Sequence, residues 1–193
     1  MKSVVIEGQR RTDMGKKISR DLRANGQVLG VIYGGQEEIH FSAPVLAFRP
    51  LVYTPDFQIA EIKIEGKTYR TILKDKQFDV VTDALNHVDF LELVDGRKVI
   101  ANLPLLFKGQ SEGVKEGGRF IAKMKSLKVR INPEHLVEKI DVDITNLKLN
   151  GNIRVEDVQL ANAEFLNPAR QPIASVVMTR ALRQAETETK KGK

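Results

Sequence analysis

The feature that most constrains this chain is a period of two. Ile59-Ala60-Glu61-Ile62-Lys63-Ile64 alternates apolar and polar side chains, Glu65-Gly66 supplies a tight turn, and Lys67-Thr68-Tyr69-Arg70-Thr71-Ile72-Leu73 returns. In a strand, alternate residues point to opposite faces, so this pattern builds a hairpin with one buried side. Leu127-Lys128-Val129-Arg130-Ile131 and Glu138 to Ile144 alternate in the same way. Val4 to Ile6, Val28 to Tyr33, Ile39 to Phe41, His87 to Leu93, Arg97 to Phe107, Ile153 to Val155 and Ile173 to Met178 read as further short strands, separated by Gly, Asn and Pro turns. The result is an all-β protein with small helical inserts. One insert is a helix from Lys16 to Ala24, stopped by Asn25-Gly26. Another opens at Ser42 or Pro44 over Val45 to Phe48, and Pro50 is expected to kink or end it.

With 193 residues, two domains are the better expectation, divided near Leu93–Asp95. That gives residues 1–93, a second β-rich domain over 94–183, and a tail from 184 to 193 with no apolar period, expected to be disordered. No run approaches the length of a membrane helix, and the start Met1-Lys2-Ser3-Val4-Val5-Ile6-Glu7 is not a signal peptide, which favours the cytoplasm. The chain has no cysteine, so it has neither a disulfide framework nor a thiolate. His40, His87 and His135 are scattered without metal-ligand spacing, and no nucleophile elbow exists. The Gly-rich stretch Lys108 to Gly118 lacks the closing Gly-Lys-Ser/Thr of a phosphate loop and reads as a β-turn loop. An enzyme, a cofactor, a metal and a small-molecule substrate are therefore not expected.

The net charge is +6. Residues 1–95 hold 13 Lys and Arg against 14 Asp and Glu, and residues 96–193 hold 18 against 11. The total suggests a polyanion on the second half, but clustering matters more. Arg10, Arg11, Lys16, Lys17, Arg20 and Arg23 fall within fourteen residues, opposed only by Asp13 and Asp21. A phosphate feels charge within about 8 Å, not a domain total. On the Lys16–Ala24 helix, Lys16, Arg20 and Arg23 stand at i, i+4 and i+7 in one stripe, with Ile18 and Leu22 expected to pack on the opposite side. Arg11 extends the row, and Gly15 and Ser19 are small enough for close backbone approach. Guanidinium forks match phosphate oxygens and base edges. A solvated basic face is the competing reading.

Two other motifs carry candidate contacts. Tyr33, before Gly34-Gly35, could stack on a base or donate its hydroxyl, although such tyrosines more often cap a core. His87 and Asp89 share one strand face, opposite Val88 and Phe90. Asp89 would accept from a base amino group or a 2′-hydroxyl, or orient His87; a surface pair of no consequence is the ordinary alternative.

The ordered set Arg11, Gly15-Lys16, Ser19-Arg20, Leu22-Arg23-Ala24, Ile32-Tyr33-Gly34-Gly35, Asp75, Gln77 and His87-Val88-Asp89-Phe90 resembles the bacterial large-subunit ribosomal proteins of the L25 family. Leu103-Pro104, Phe107-Lys108-Gly109, Gly113-Val114-Lys115, Gly117-Gly118, Asn132-Pro133-Glu134-His135, Ile140 to Asp143 and Asn152 to Val155 extend the resemblance to its long, CTC (general stress protein) form. The resemblance implies a six-stranded N-terminal β-barrel that binds 5S rRNA in the central protuberance. It implies RNA-binding roles for Arg11, Lys16, Ser19, Arg20, Arg23, Tyr33, Gln77, His87 and Asp89, and neighbouring rRNA and ribosomal proteins as further partners. Asp21 departs from the pattern, as does Lys74, which would exchange a base-edge contact for a phosphate contact. A stress-induced, protein-binding module using the second domain is the alternative.

Overall fold

In a computed structural model, residues 1–180 are described, and the expected disorder of residues 184–193 lies outside them. The described chain is dominated by strands. It forms two compact units: Met1–Ala101 with Ile131–Glu138, and Asn102–Arg130 with the chain from Lys139 onward.

The first unit runs β1 (Ser3–Glu7), β2 (Gln9–Arg10), α1 (Lys16–Ala24), β3 (Gln27–Tyr33), β4 (Ile39–Pro44), α2 (Val45–Val52), β5 (Ile59–Ile64), β6 (Lys67–Phe78) and β7 (Leu85–Glu92). Its seven strands form one sheet in the order β1-β5-β6-β7-β3-β4-β2. The pairs β1–β5 and β3–β7 are parallel; β5–β6, β6–β7, β3–β4 and β2–β4 are antiparallel. The strand count differs from the expected six because the first strand is divided at Gly8. Gly8 N–H still donates to Lys63 O at 3.0 Å, whereas Arg11 N–H donates to His40 O at 2.8 Å. One continuous stretch thus changes partner, and the sheet's two ends are a single residue apart in the chain.

The β5–β6 turn has φ 50° at Glu65 and 81° at Gly66, the left-handed pair that suits the twist of a two-residue hairpin. Inside the curled sheet, Phe41, Phe48 and Phe90 are fully buried with ring centroids 6.0 to 6.4 Å apart. Glycines make room for them. A Cβ on Gly30, the register partner of Phe41, would lie 2.6 Å from its ring, and one on Gly8 would lie 2.7 Å from it.

Of the two outcomes expected at Pro50, ending is ruled out, because helix α2 continues through the proline to Val52. A proline removes one backbone donor. Here, Leu51 and Val52 are buried beside Phe48, and that burial, about 2 kcal/mol for each full aliphatic side chain, outweighs the missing bond.

The second unit holds most of β8 (Val99–Lys108), then α3 (Glu112–Lys115), β9 (Arg119–Ala122), β10 (Ser126–Ile131), β11 (Ile140–Asp143), β12 (Asn152–Arg154), β13 (Ala163–Phe165) and β14 (Pro172–Val177). These make a four-stranded sheet, β11-β8-β10-β13, and a three-stranded sheet, β12-β14-β9. Strand β10 shows the expected alternation: Leu127, Val129 and Ile131 are buried, while Ser126, Lys128 and Arg130 are exposed. The Gly-rich stretch is not only a turn. Buried Ser111 accepts from Val114 N–H, donates to Leu147 O at 2.6 Å and caps the single turn α3.

Candidate nucleic-acid interface

Helix α1 has the bounds that its sequence dictates. Gly15 stands at its N-cap with no side-chain hydrogen bond, and the chain leaves through Gly26 at φ 73°. Lys16, Lys17, Arg20 and Arg23 are all exposed. The packing arc, however, is not the one expected. Ile18 is 43% exposed, and the half-buried residues are Ser19 and Leu22. No residue of α1 is buried. The helix packs against β3, whose Leu29 lies outside the interior cluster and is nevertheless only 3% exposed.

A nine-residue helix is marginal alone, so its attachments matter. Arg11 Nη2 donates to Ser19 Oγ at 3.4 Å and to Asp13 O at 3.2 Å, tying the preceding loop to the helix. Arg23 Nε donates to Asn86 O at 3.2 Å, tying the last turn to the residue before His87. Two of the five expected helix-side residues, Arg11 and Ser19, thus hold each other, while Arg23 also serves as a strut. The side chains of Lys16, Lys17 and Arg20 form no hydrogen bond or ion pair with other described residues, whereas that of neighbouring Arg10 is paired with Glu37 at 3.4 Å.

Beside the helix, three strands build a polar patch. On β7, His87 and Asp89 are half-buried and face outward, while Val88 and Phe90 are fully buried. Across β6, Gln77 pairs with His87 and Asp75 with Asp89; across β3, Leu29 pairs with His87, Val31 with Asp89 and Tyr33 with Leu91. This register depends on one inserted residue. Leu73 pairs with Phe90 and Asp75 with Asp89, so Lys74 is an extra residue in β6. Without that bulge, every following side chain would change face and Gln77 would leave His87. Lys74 itself donates to Ile100 O at 2.9 Å, which leaves two of its three amine donors unused.

The patch is acidic and hydrogen-bonding where the helix is cationic. Asp89 Oδ1 lies 2.8 Å from His87 Nδ1, an enclosed atom without another polar partner. Tyr33, on neighbouring β3, feels the charges of Asp89 and Asp75. Burial first, and then the charges of Asp89 and Asp75, push its phenol above the ordinary 10.0. At neutral pH, it is a hydroxyl donor. Two neighbouring carboxylates repel phosphate but accept from amino groups and 2′-hydroxyls. The structure therefore joins the nine expected residues into two adjoining areas. Lys16, Arg20 and Arg23 present cations, Arg11 and Ser19 brace them, and Gln77, His87, Asp89 and Tyr33 present hydrogen-bonding groups. Asp75 and Asn86 belong to the same surface. Among the described residues there is no His, Asp and Glu group arranged to hold a metal, and no helix is long and apolar enough to cross a membrane.

Residues 6–90 match the family model "Ribosomal L25p family", and residues 98–180 match "Ribosomal protein TL5, C-terminal domain". The chain is similar to proteins named "Large ribosomal subunit protein bL25". That of Cytophaga hutchinsonii is 37% identical over 191 residues, covering 99% of this chain and 100% of the relative. Those of Amoebophilus asiaticus and Phocaeicola vulgatus are also 37% identical, covering 100% and 96% of this chain and 99% and 97% of the relatives.

Proposed function

The chain belongs to the Ribosomal L25p family, a non-enzymatic constituent of the large subunit of the bacterial ribosome, and on that premise we propose that it anchors 5S rRNA in the central protuberance. The observation that carries this reading is the unpaired cationic row of α1 lying beside the Gln77–His87 pair, with Arg23 linking the two through Asn86. A-form RNA presents phosphates and 2′-hydroxyls across a wide, shallow minor groove. The α1 cations would set register on the phosphates, and Tyr33, Gln77, His87 and Asp89 would read irregular base pairs. Reading β1 and β2 as one strand bent at Gly8 supports the six-stranded barrel that the family resemblance implies, because the two ends of the sheet order then belong to one strand. Residues 1–93 then carry the 5S rRNA site, and residues 94–183 face neighbouring rRNA and ribosomal proteins.

The test is a competition gel shift of the full chain with 5S rRNA and an unrelated RNA of equal length. Selective retention of 5S rRNA is expected, with the selectivity reduced by Gln77→Ala or His87→Ala. Equal affinity for the two RNAs would sink the reading.

A further inference from the structure

Residues 117–133 contain five cations and no acidic residue. Arg119, Lys123, Lys125, Lys128 and Arg130 are all exposed. The stretch crosses from β9, an outer strand of the three-stranded sheet, to β10 in the four-stranded sheet. None of the strands β9, β12 and β14 carries a carboxylate. Arg130 is paired with Glu164 at 3.3 Å, and α3, packed against β9, brings Glu112 and Glu116 near the Arg119 end together with Lys115. Between those ends, Lys123, Lys125 and Lys128 form no side-chain hydrogen bond or ion pair with other described residues. Their anchorage is backbone: Lys123 N–H donates to Ile173 O at 2.8 Å, Lys125 O accepts from Leu105 N–H at 2.9 Å, and Lys128 N–H donates to Asn167 Oδ1 at 2.8 Å. The main chain is fixed and the amines are free.

We propose that this strip, centred on Lys123, Lys125 and Lys128, is a second RNA-binding surface that holds the phosphate backbone of a double-helical RNA segment. The chemistry selects that ligand. Lysines act as point charges on phosphates and lack the planar fork that reads bases. Binding of single strands relies on aromatic platforms. The strip offers none: Phe120 is half-buried and turned edge-on to Phe107, with centroids 5.2 Å apart. A duplex held through its phosphates, without sequence preference, is what remains.

The experiment uses the full chain and two probes, 5S rRNA and a 24-base-pair RNA duplex of unrelated sequence, across a salt series. The variant is Lys123→Ala/Lys125→Ala/Lys128→Ala. Each phosphate contact contributes roughly 0.9 to the slope of log affinity against log salt. Loss of three contacts should flatten the duplex slope by between two and three units, removing about fortyfold of the affinity change between 50 and 200 mM salt. Affinity for 5S rRNA should stay within about twofold, and the triple Lys→Arg variant should retain duplex binding. Unchanged duplex affinity and slope in the alanine variant would overturn the proposal. So would duplex binding that disappears completely on removing Lys16, Arg20 and Arg23, or an alanine variant that loses only its binding to polyglutamate. Failure of the α1 row on 5S rRNA would leave this result standing, so the two readings separate.

Discussion

Replacement of Lys16 and Arg20 by alanine separates RNA binding from folding in a way that other changes on α1 do not. Both side chains are exposed and neither forms a hydrogen bond or ion pair with another described residue, so the fold loses no polar interaction when they are removed. Alanine is also the best helix former, so the stability of the double variant should stay within about 0.5 kcal/mol of the parent. RNA binding should respond strongly. If each cation engages one phosphate, the salt slope should fall by roughly 1.8, and between 50 and 200 mM salt the parent should lose about twelvefold more affinity than the variant. Filter binding to 5S rRNA at five or six salt concentrations measures the slope, and urea unfolding measures the stability. Arg23→Ala is the contrasting variant. It also removes the strut to Asn86 O, so the amides of α1 should exchange faster with solvent. A double variant with the parental slope would refute the assignment of α1 to phosphate, whatever its affinity.

Gly30→Ala should destabilise the protein by about 1–3 kcal/mol, because its Cβ would lie 2.6 Å from the fully buried Phe41 ring; an unchanged urea midpoint would contradict that packing. The Asp79 carboxylate accepts from Thr82 N–H, Val81 N–H and the Thr82 hydroxyl, which holds it below the usual carboxylate range. Its contribution to loop order is therefore present above the unfolded carboxylate range near about 3.9 and lost as pH falls through the lower folded value. An NMR titration should give an acid-shifted Asp79 midpoint, and Asp79→Ala should speed exchange at Val81 and Thr82; an ordinary midpoint would remove the argument. Tyr33 should titrate above 10 in an absorbance titration that compares the parent with Tyr33→Phe, and Asp75→Asn should bring it part of the way back. No response to Asp75→Asn would remove Asp75 from the causes and leave burial and Asp89.

Local chemistry was legible in the sequence, and register was not. The bounds of α1 follow from Gly15 and Asn25-Gly26, and the hairpin at Glu65-Gly66 from its alternation and turn, because each signal lies within a few residues. Periodicity placed Lys16, Arg20 and Arg23 on one side of α1. It could not say that Ser19 and Leu22, rather than Ile18, face the sheet, since that depends on where Leu29 lies on β3. The bulge at Lys74 has no Gly or Pro to announce it, yet it decides whether Gln77 stands beside His87. Pro50 left open whether the helix would end there. The local rule is sound, but burial of Leu51 and Val52 overrides it. Ser111 hid its cap inside a glycine-rich stretch that looked like turns alone.

Gly8 gives the first ten residues an importance out of proportion to their number. They pair with β5 through one half and with β4 through the other, so their removal would bare two strand edges at once rather than trim one. The segment can join the sheet only when β4, which ends at Pro44, and β5, which ends at Ile64, are both in place. Its pairing is therefore a seam made across two strands at once, which leaves these ten residues little tolerance for inserted sequence.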